Sequence, residues 1–271
     1  YIVMNNSHTI EIMNLEDGIN YSATIDLPNA SPRYMHAENN QAYVSSWGLN
    51  AILIINLDEN EVTDTISING MPEHIITYHD HLYVSIPSNS DWSTNDQIVK
   101  ISKENLSIDT VYIVEPGPSM MVLNDTSLFV SSTSYDDSWN TYAGISKINL
   151  HSNEITRYNA GISTNYGTDI INYQNRVYQV FNGGLVPLND DLSPNINEKI
   201  GDLESIYSAA TDGDYFYFGK SDYVAPDTVL ILDEDGELVY DFVVGALPGS
   251  FAFYNQNLSM SGHDLVLPNN T

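Results

Sequence analysis

One pattern recurs along this chain: a proline or a residue in its place and, ten residues later, a short apolar strand, most clearly one that ends in serine. Pro32 leads to Ala42-Tyr43-Val44-Ser45, Pro72 to Leu82-Tyr83-Val84-Ser85, and Pro118 to Leu128-Phe129-Val130-Ser131. Pro248 leads in the same way to Leu258-Ser259. Two degenerate copies, Gly167 to Val177-Tyr178 and Ile206 to Phe216-Tyr217, fill the interval. The anchors at 32, 72, 118, 167, 206 and 248 are spaced by 40, 46, 49, 39 and 42 residues. A repeat of this length is one supersecondary unit that cannot bury its apolar face alone, so copies must pack on one another.

No segment sustains a helical period, whereas strand-like alternation is present throughout. Each unit reads as four short strands; in the second they are His74–Tyr78, Leu82–Ser85, Ile98–Ser102 and Ser107–Val114. Asp, Asn and Gly turn signals separate them: HDH at 79–81, NDT at 124–126 and DGD at 212–214 between strands one and two. DENE at 58–61, SKEN at 102–105, HSNE at 151–154 and DEDG at 233–236 stand between strands three and four. Such residues favour turns because they tolerate positive φ or bond their own backbone. Four-stranded units at this period are β-propeller blades, while a solenoid would need capping repeats, which are not evident. The expected fold is all-β, one propeller domain over 1–271 with an incomplete N-terminal blade. Tyr1–Met4 and Leu258–Met260 both align with a second strand. Either six blades close the ring or a seventh completes it.

Eight Lys plus Arg stand against 36 Asp plus Glu, a formal charge of −28. Nucleic acid and anionic membrane surfaces are therefore excluded as direct partners. The charge serves solubility in a salty or extracellular medium, or attracts a cationic or metal-bearing ligand. There is no cysteine, hence no disulfide and no thiolate metal site, in keeping with an exported bacterial protein. No apolar run approaches the ~20 residues of a spanning helix, so direct membrane insertion is not expected.

The YVS strand followed by an INL or ILD strand resembles the YVTN-type (YncE-like) surface propellers. YIVMNNSHTIEIMN at 1–14, SPRYM at 31–35 and AYVSSWG at 42–48 are similar to Bacteroidota cell-surface propellers. KSDYVAPDTVLILDEDGELVYDFVVGALPGSFAF at 220–253 resembles the last blade of that group. The resemblance implies an exported outer-membrane lipoprotein, at the cell surface or in the periplasm. It also implies a TonB-dependent transporter as partner and seven blades in the parent protein, about six of them covered here. Some members capture nutrients, the cobalamin-binding propeller being a relative in style; ligand identity does not carry over.

Strand alternation places the loops joining strands two and three on one face, together with the segments leading into strand one. The rich loops all fall there: 45–51, 87–97, 132–144 and 220–227. They carry Trp47, Trp92 and Trp139, the three tryptophans of the chain, with Tyr135 and Tyr223. Such side chains are favoured anchors of binding surfaces, or else pack on the neighbouring blade. The starts of the first strands add Arg33, His74, Met120, Tyr166, Tyr207 and Phe251. Arg33 fits a ligand carboxylate or phosphate, or a salt bridge between blades. His74 fits a metal ligand or, more simply, a hydrogen-bonded position on a strand. The Asp233-Glu234-Asp235-Gly236 run lacks a calcium loop's later glutamate and reads as a β-turn.

Glu73, His74 and Asp169 are the candidate acid–base or metal set, with no spacing that makes them converge. No nucleophile elbow, zinc-protease motif or phosphate-cradling loop is present. The expectation is a monomeric, non-catalytic protein with no cofactor or metal. It captures a small molecule such as a corrinoid or siderophore for a transporter, on Trp47, Trp92, Trp139, Tyr135, Arg33, His74, Tyr166, Tyr207 and Tyr223. The alternatives are a protein-interaction or adhesion platform on the same face, and a metal-dependent lyase or lactonase-type propeller. A concave pocket lined by the tryptophans favours capture, and an open apolar surface favours the platform.

Overall fold

The computed structural model describes residues 1–15 and 18–253. Its strands form six antiparallel sheets, each a meander in chain order. Blade 1 holds β1 (Ile2–Met4), β2 (Thr9–Asn14) and β3 (Asn20–Asp26). Blade 2 holds β4 (Pro32–Glu38), β5 (Gln41–Ser46), β6 (Ala51–Asn56) and β7 (Glu61–Ser67). Blade 3 holds β8 (Ile75–Tyr78), β9 (His81–Ser88), β10 (Thr94–Ser102) and β11 (Ile108–Ile113). Blade 4 holds β12 (Pro118–Asn124), β13 (Ser127–Tyr135), β14 (Thr141–Asn149) and β15 (Ile155–Ile162). Blade 5 holds β16 (Tyr166–Tyr173), β17 (Arg176–Phe181) and β18 (Gly184–Pro187). Blade 6 holds β19 (Ile206–Thr211), β20 (Phe216–Lys220), β21 (Asp227–Leu232) and β22 (Leu238–Val244). The first strands β4, β8, β12, β16 and β19 abut in that order, as the innermost strands of a six-bladed β-propeller do.

Burial follows the position of a strand in its blade. In blade 2 the middle strands β5 and β6 are buried almost throughout, whereas the outer β7 is exposed except at Ile66. A middle strand is covered on both faces by neighbouring blades, which is why it reads as a continuous apolar run. Alternate side chains then serve opposite neighbours. Ala42, Val44, Leu53 and Ile55 pack toward blade 1 with Ile10 and Ile25. Tyr43, Ile52 and Ile54 pack toward blade 3 with Ile75, Leu82 and Val84. Comparable clusters join blades 3 and 4, 4 and 5, and 5 and 6.

The serine that closes the repeated strand has a structural task. Buried Ser45 donates its hydroxyl to the Glu73 carbonyl at 2.6 Å, and Ser85 to the Ser119 carbonyl at 2.7 Å. Ser131 donates to the Thr168 carbonyl. Each bond crosses to the backbone leading into, or starting, the next blade's first strand. In return Tyr34 N–H donates to Ser45 Oγ and His74 N–H to Ser85 Oγ, both at 3.0 Å.

Blade 5 departs from the expectation of four strands per unit. After β18 the chain makes a 3-10 turn, Ile196–Glu198, and touches the sheet by isolated bridges, Leu185 with Ile200 and Leu188 with Pro194. Pro187 and Pro194 have no N–H to give a fourth ladder. At the other end of the chain, the alignment of Leu258–Met260 with a second strand lies outside the described residues. Before it, the Pro248 carbonyl accepts the Ser208 hydroxyl, and the rings of Phe251 and Phe253 lie against Tyr217 of blade 6. Among the described residues no buried apolar cluster joins blade 6 to blade 1.

Candidate functional site

The loops joining second to third strands share one face of the ring, and two of them end in a tryptophan held by a specific turn. In the β9–β10 loop, Asn89 N–H donates to Ser93 O at 2.8 Å and Trp92 N–H to Asn89 O at 2.9 Å. Ser93 donates both its N–H and its hydroxyl to Asp91 Oδ1. In the β13–β14 loop, Asp136 N–H donates to Asn140 O at 3.2 Å and Trp139 N–H to Asp136 O at 2.9 Å. Asp136 Oδ1 accepts the N–H groups of Ser138 and Asn140, both at 2.9 Å. These bonds hold the Asp91 and Asp136 carboxyls below the usual carboxylate range, through Ser93 and Asn140 foremost, so both are anionic near neutral pH.

The backbone bonds of this turn occur twice more on the opposite face, at Asn189–Ser193 and Asp233–Glu237. In all four copies the same position has positive φ: Trp92 at 68°, Trp139 at 62°, Leu192 at 68° and Gly236 at 79°. Glycine adopts this conformation freely, and a bulky side chain does so at a cost of order 1 kcal/mol. Leu192 is 1% exposed and packs in the blade 4–5 core, which accounts for its presence. Trp92 is 68% exposed and Trp139 81% exposed, so burial does not account for theirs. In blade 6, Tyr223 stands in the β20–β21 loop with φ 68° and 73% exposure.

The structure sorts the candidate residues into groups. Arg33, Trp47 and Trp92 form one layer across blades 2 and 3. Arg33 Nε and Nη2 donate to the two Glu73 carboxylate oxygens at 3.0 and 2.8 Å. The same guanidinium lies 4.1 Å from the Trp47 ring centroid, and the Trp92 ring meets Trp47 edge-on at 5.5 Å. The inter-blade salt bridge is therefore the observed state of Arg33. Tyr135 pairs with Trp139 at 6.2 Å, and Tyr207 with Tyr223 at 6.0 Å, each pair on its own blade. Trp139 is thus not gathered with the other two tryptophans, and the three do not line a common pocket.

Tyr166 sits apart, 4.6 Å from the Phe181 ring, on the wall of a cavity of about 350 Å³ between blades 5 and 6. Asn165, Asn182, Asp202 and Ser205 give that cavity a polar lining. His74 is 5% exposed and stacks on Tyr34 at 4.1 Å; burial pushes its pKa down to about 3, so it is neutral. Glu73, His74 and Asp169 do not converge. The Glu73 carboxylate is committed to Arg33, and Asp169 accepts the Ala209 N–H between blades 5 and 6. Among the described residues no three His, Asp or Glu side chains form a metal-holding group. Asp233 spends its carboxylate on the N–H groups of Asp235 and Glu237, as a turn requires.

Sequence reasoning missed Glu73 as the partner of Arg33. A signal was present, since both residues directly follow an anchoring proline, Arg33 after Pro32 and Glu73 after Pro72.

No protein-family model and no curated protein sequence matches this chain. Solved structures do match in shape. A hydrazine synthase from Kuenenia stuttgartiensis superimposes with a TM-score of 0.64 at 16% identity, over 85% of this chain and 72% of that one. The computationally designed protein Ika8 gives 0.63 at 9% identity, over 92% and 86%. A chain of a nidogen/laminin complex gives 0.60 at 13% identity, over 87% and 90%. What this chain shares with them is the propeller fold. At such identities the likeness extends to blades and not to sites.

Proposed function

We propose that this chain is a non-catalytic recognition module that binds its partner through the face bearing the strand-two-to-three loops. The observation that carries this reading is the pair Trp92 and Trp139, exposed at a backbone position that glycine would occupy at lower cost. Large rigid aromatics on a preformed scaffold supply contact area with little entropy to lose. The face is open rather than concave at the tryptophans, which favours an interaction platform over enclosure of a nutrient there. Capture of a small polar molecule for a TonB-dependent transporter is the second reading, and its support is the cavity beside Tyr166. Export to the cell surface as a monomeric lipoprotein belongs to the same proposal, supported by the sequence resemblance, with the charge of −28 in keeping with export.

The test is calorimetry with hydrogen exchange across a panel of corrinoids, siderophores, oligosaccharides and peptides. The expected result is protection of residues 89–93 and 136–140 by at least one class, with affinity lost in the Trp92→Gly/Trp139→Gly double variant. Protection confined to 164–167 and 202–206 would move the site to the cavity.

A further inference from the structure

The same face already holds one cationic side chain, and the way it does so points to what else it holds. Arg33 is stacked on Trp47 while its guanidinium makes two hydrogen bonds to Glu73. An aromatic ring for the face of the cation and a carboxylate for its edge is the arrangement that suits guanidinium best.

The exposed loop tips repeat those two ingredients without a cation of the chain between them. Trp139 and Tyr135 stand beside the exposed Asp137, Trp92 beside Asp91, and Tyr223 beside Asp222; the turn bonds of Asp91 and Asp222 use Oδ1, whereas both oxygens of Asp136 are taken up by its own turn. No Lys or Arg of the described residues forms an ion pair with Asp91, Asp137 or Asp222, whereas Glu38, Glu73, Glu198 and Asp202 each have one. Tyr135, Trp139 and Tyr223 carry no cation over their rings either; the cation–ring contacts go to Trp47, Phe129 and Tyr178. The chain's excess of 28 negative charges steers a positive partner inward and a negative one away.

Resting on the binding reading above, we propose that the aromatic loop face binds an arginine-rich peptide segment of a partner protein. Its guanidinium groups stack on Trp92, Trp139 and Tyr223 and are capped by the adjoining aspartates. The segment is extended, because Trp92, Trp139 and Tyr223 stand on three different blades, 3, 4 and 6.

The experiment titrates the whole chain with an oligo-arginine peptide, an oligo-lysine peptide and a Gly/Ser peptide of equal length, and a neutral tetrasaccharide. Stacking predicts that arginine binds at least about five-fold tighter than lysine, because an ammonium lacks the planar face. The Trp92→Gly/Trp139→Gly variant is expected to lose about ten-fold or more for the arginine peptide. Its melting temperature should stay within a few degrees of the parent, since glycine suits the turn. Asp137→Asn, which touches no turn bond, should weaken arginine binding and leave the fold intact.

Equal affinity for lysine and arginine, unchanged in the double variant, would reduce the effect to bulk charge and overturn the proposal. Tryptophan-dependent binding of the Gly/Ser peptide or the sugar, with none of the arginine peptide, would sink this inference while leaving the binding face standing. No tryptophan-dependent binding across both this panel and the previous one would sink both.

Discussion

At the scale of single residues, a tryptophan at positive φ trades stability for a displayed ring. Replacing Trp139 by glycine is expected to raise stability by up to about 1 kcal/mol, because Gly236 shows that the turn accepts glycine, while at Trp92 the lost edge contact with Trp47 offsets that gain. Urea melts of each variant check this; a loss above about 2 kcal/mol would mean that the ring is structural after all.

Two titratable groups, the buried His74 and the half-buried Asp169, give a second residue-scale expectation. The His74 pKa falls to about 3 in the fold from 6.5, so its contribution is complete above pH 6.5 and is lost as pH falls toward 3. Burial raises the Asp169 carboxyl from 3.8 to about 6, with the Ala209 N–H opposing. Its sign is opposite: stability is fully present below pH 3.8 and is lost as pH rises through 6. The two slopes offset each other between about pH 4 and 6. Asp169→Asn keeps an acceptor for Ala209 and removes the ionisation, so it should gain of order 2 kcal/mol at pH 7. The variant's melting temperature should then fall more steeply than the parent's between pH 6 and 4.

At the scale of elements, the repeated Tyr-Val-Ser strand combines two functions in adjacent residues. Tyr43 and Val44 supply apolar contacts to blades on opposite sides, and Ser45 adds a hydrogen bond to the backbone leading into the next blade. Ser85→Ala would strip the Ser119 carbonyl of its donor and the His74 N–H of its acceptor within the interface. The expected loss is about 1–3 kcal/mol, read from the chemical denaturation midpoint at unchanged slope. Blade 6 makes its bond differently, from Ser208 of the first strand to Pro248. That switch explains why its copy of the motif, Phe216-Tyr217-Phe218-Gly219, lacks the serine: Ser208 Oγ lies 2.4 Å from where a Cβ at Gly219 would stand.

For the whole molecule, the charge of −28 is spread over a ring whose Lys and Arg form four ion pairs among the described residues. Self-repulsion therefore opposes the compact state, and salt screens it. The melting temperature should rise by roughly 5 °C between very low salt and ~0.15 M, as scanning calorimetry would read. The arginine peptide should respond in the opposite sense, binding more weakly as salt is added.

The blades, their turns and the face that carries the tryptophans were legible in the sequence. Strand period, turn chemistry and repeat register are local properties, written in residues a few positions apart. The fate of individual side chains was not legible, because it depends on blades some forty residues away. Only packing of blade 2 on blade 3 could commit Arg33 to Glu73 and Trp47 or enclose His74. Only the angular separation of blades could part Trp139 from Trp92, and only the chain's path after Pro187 could deny blade 5 a fourth strand. The sequence by itself determined a propeller of stacked β units and the side on which its aromatic loops lie. Tertiary structure decided which of those aromatics are buried, paired or free to bind, because burial and ion pairing arise where surfaces from distant repeats meet.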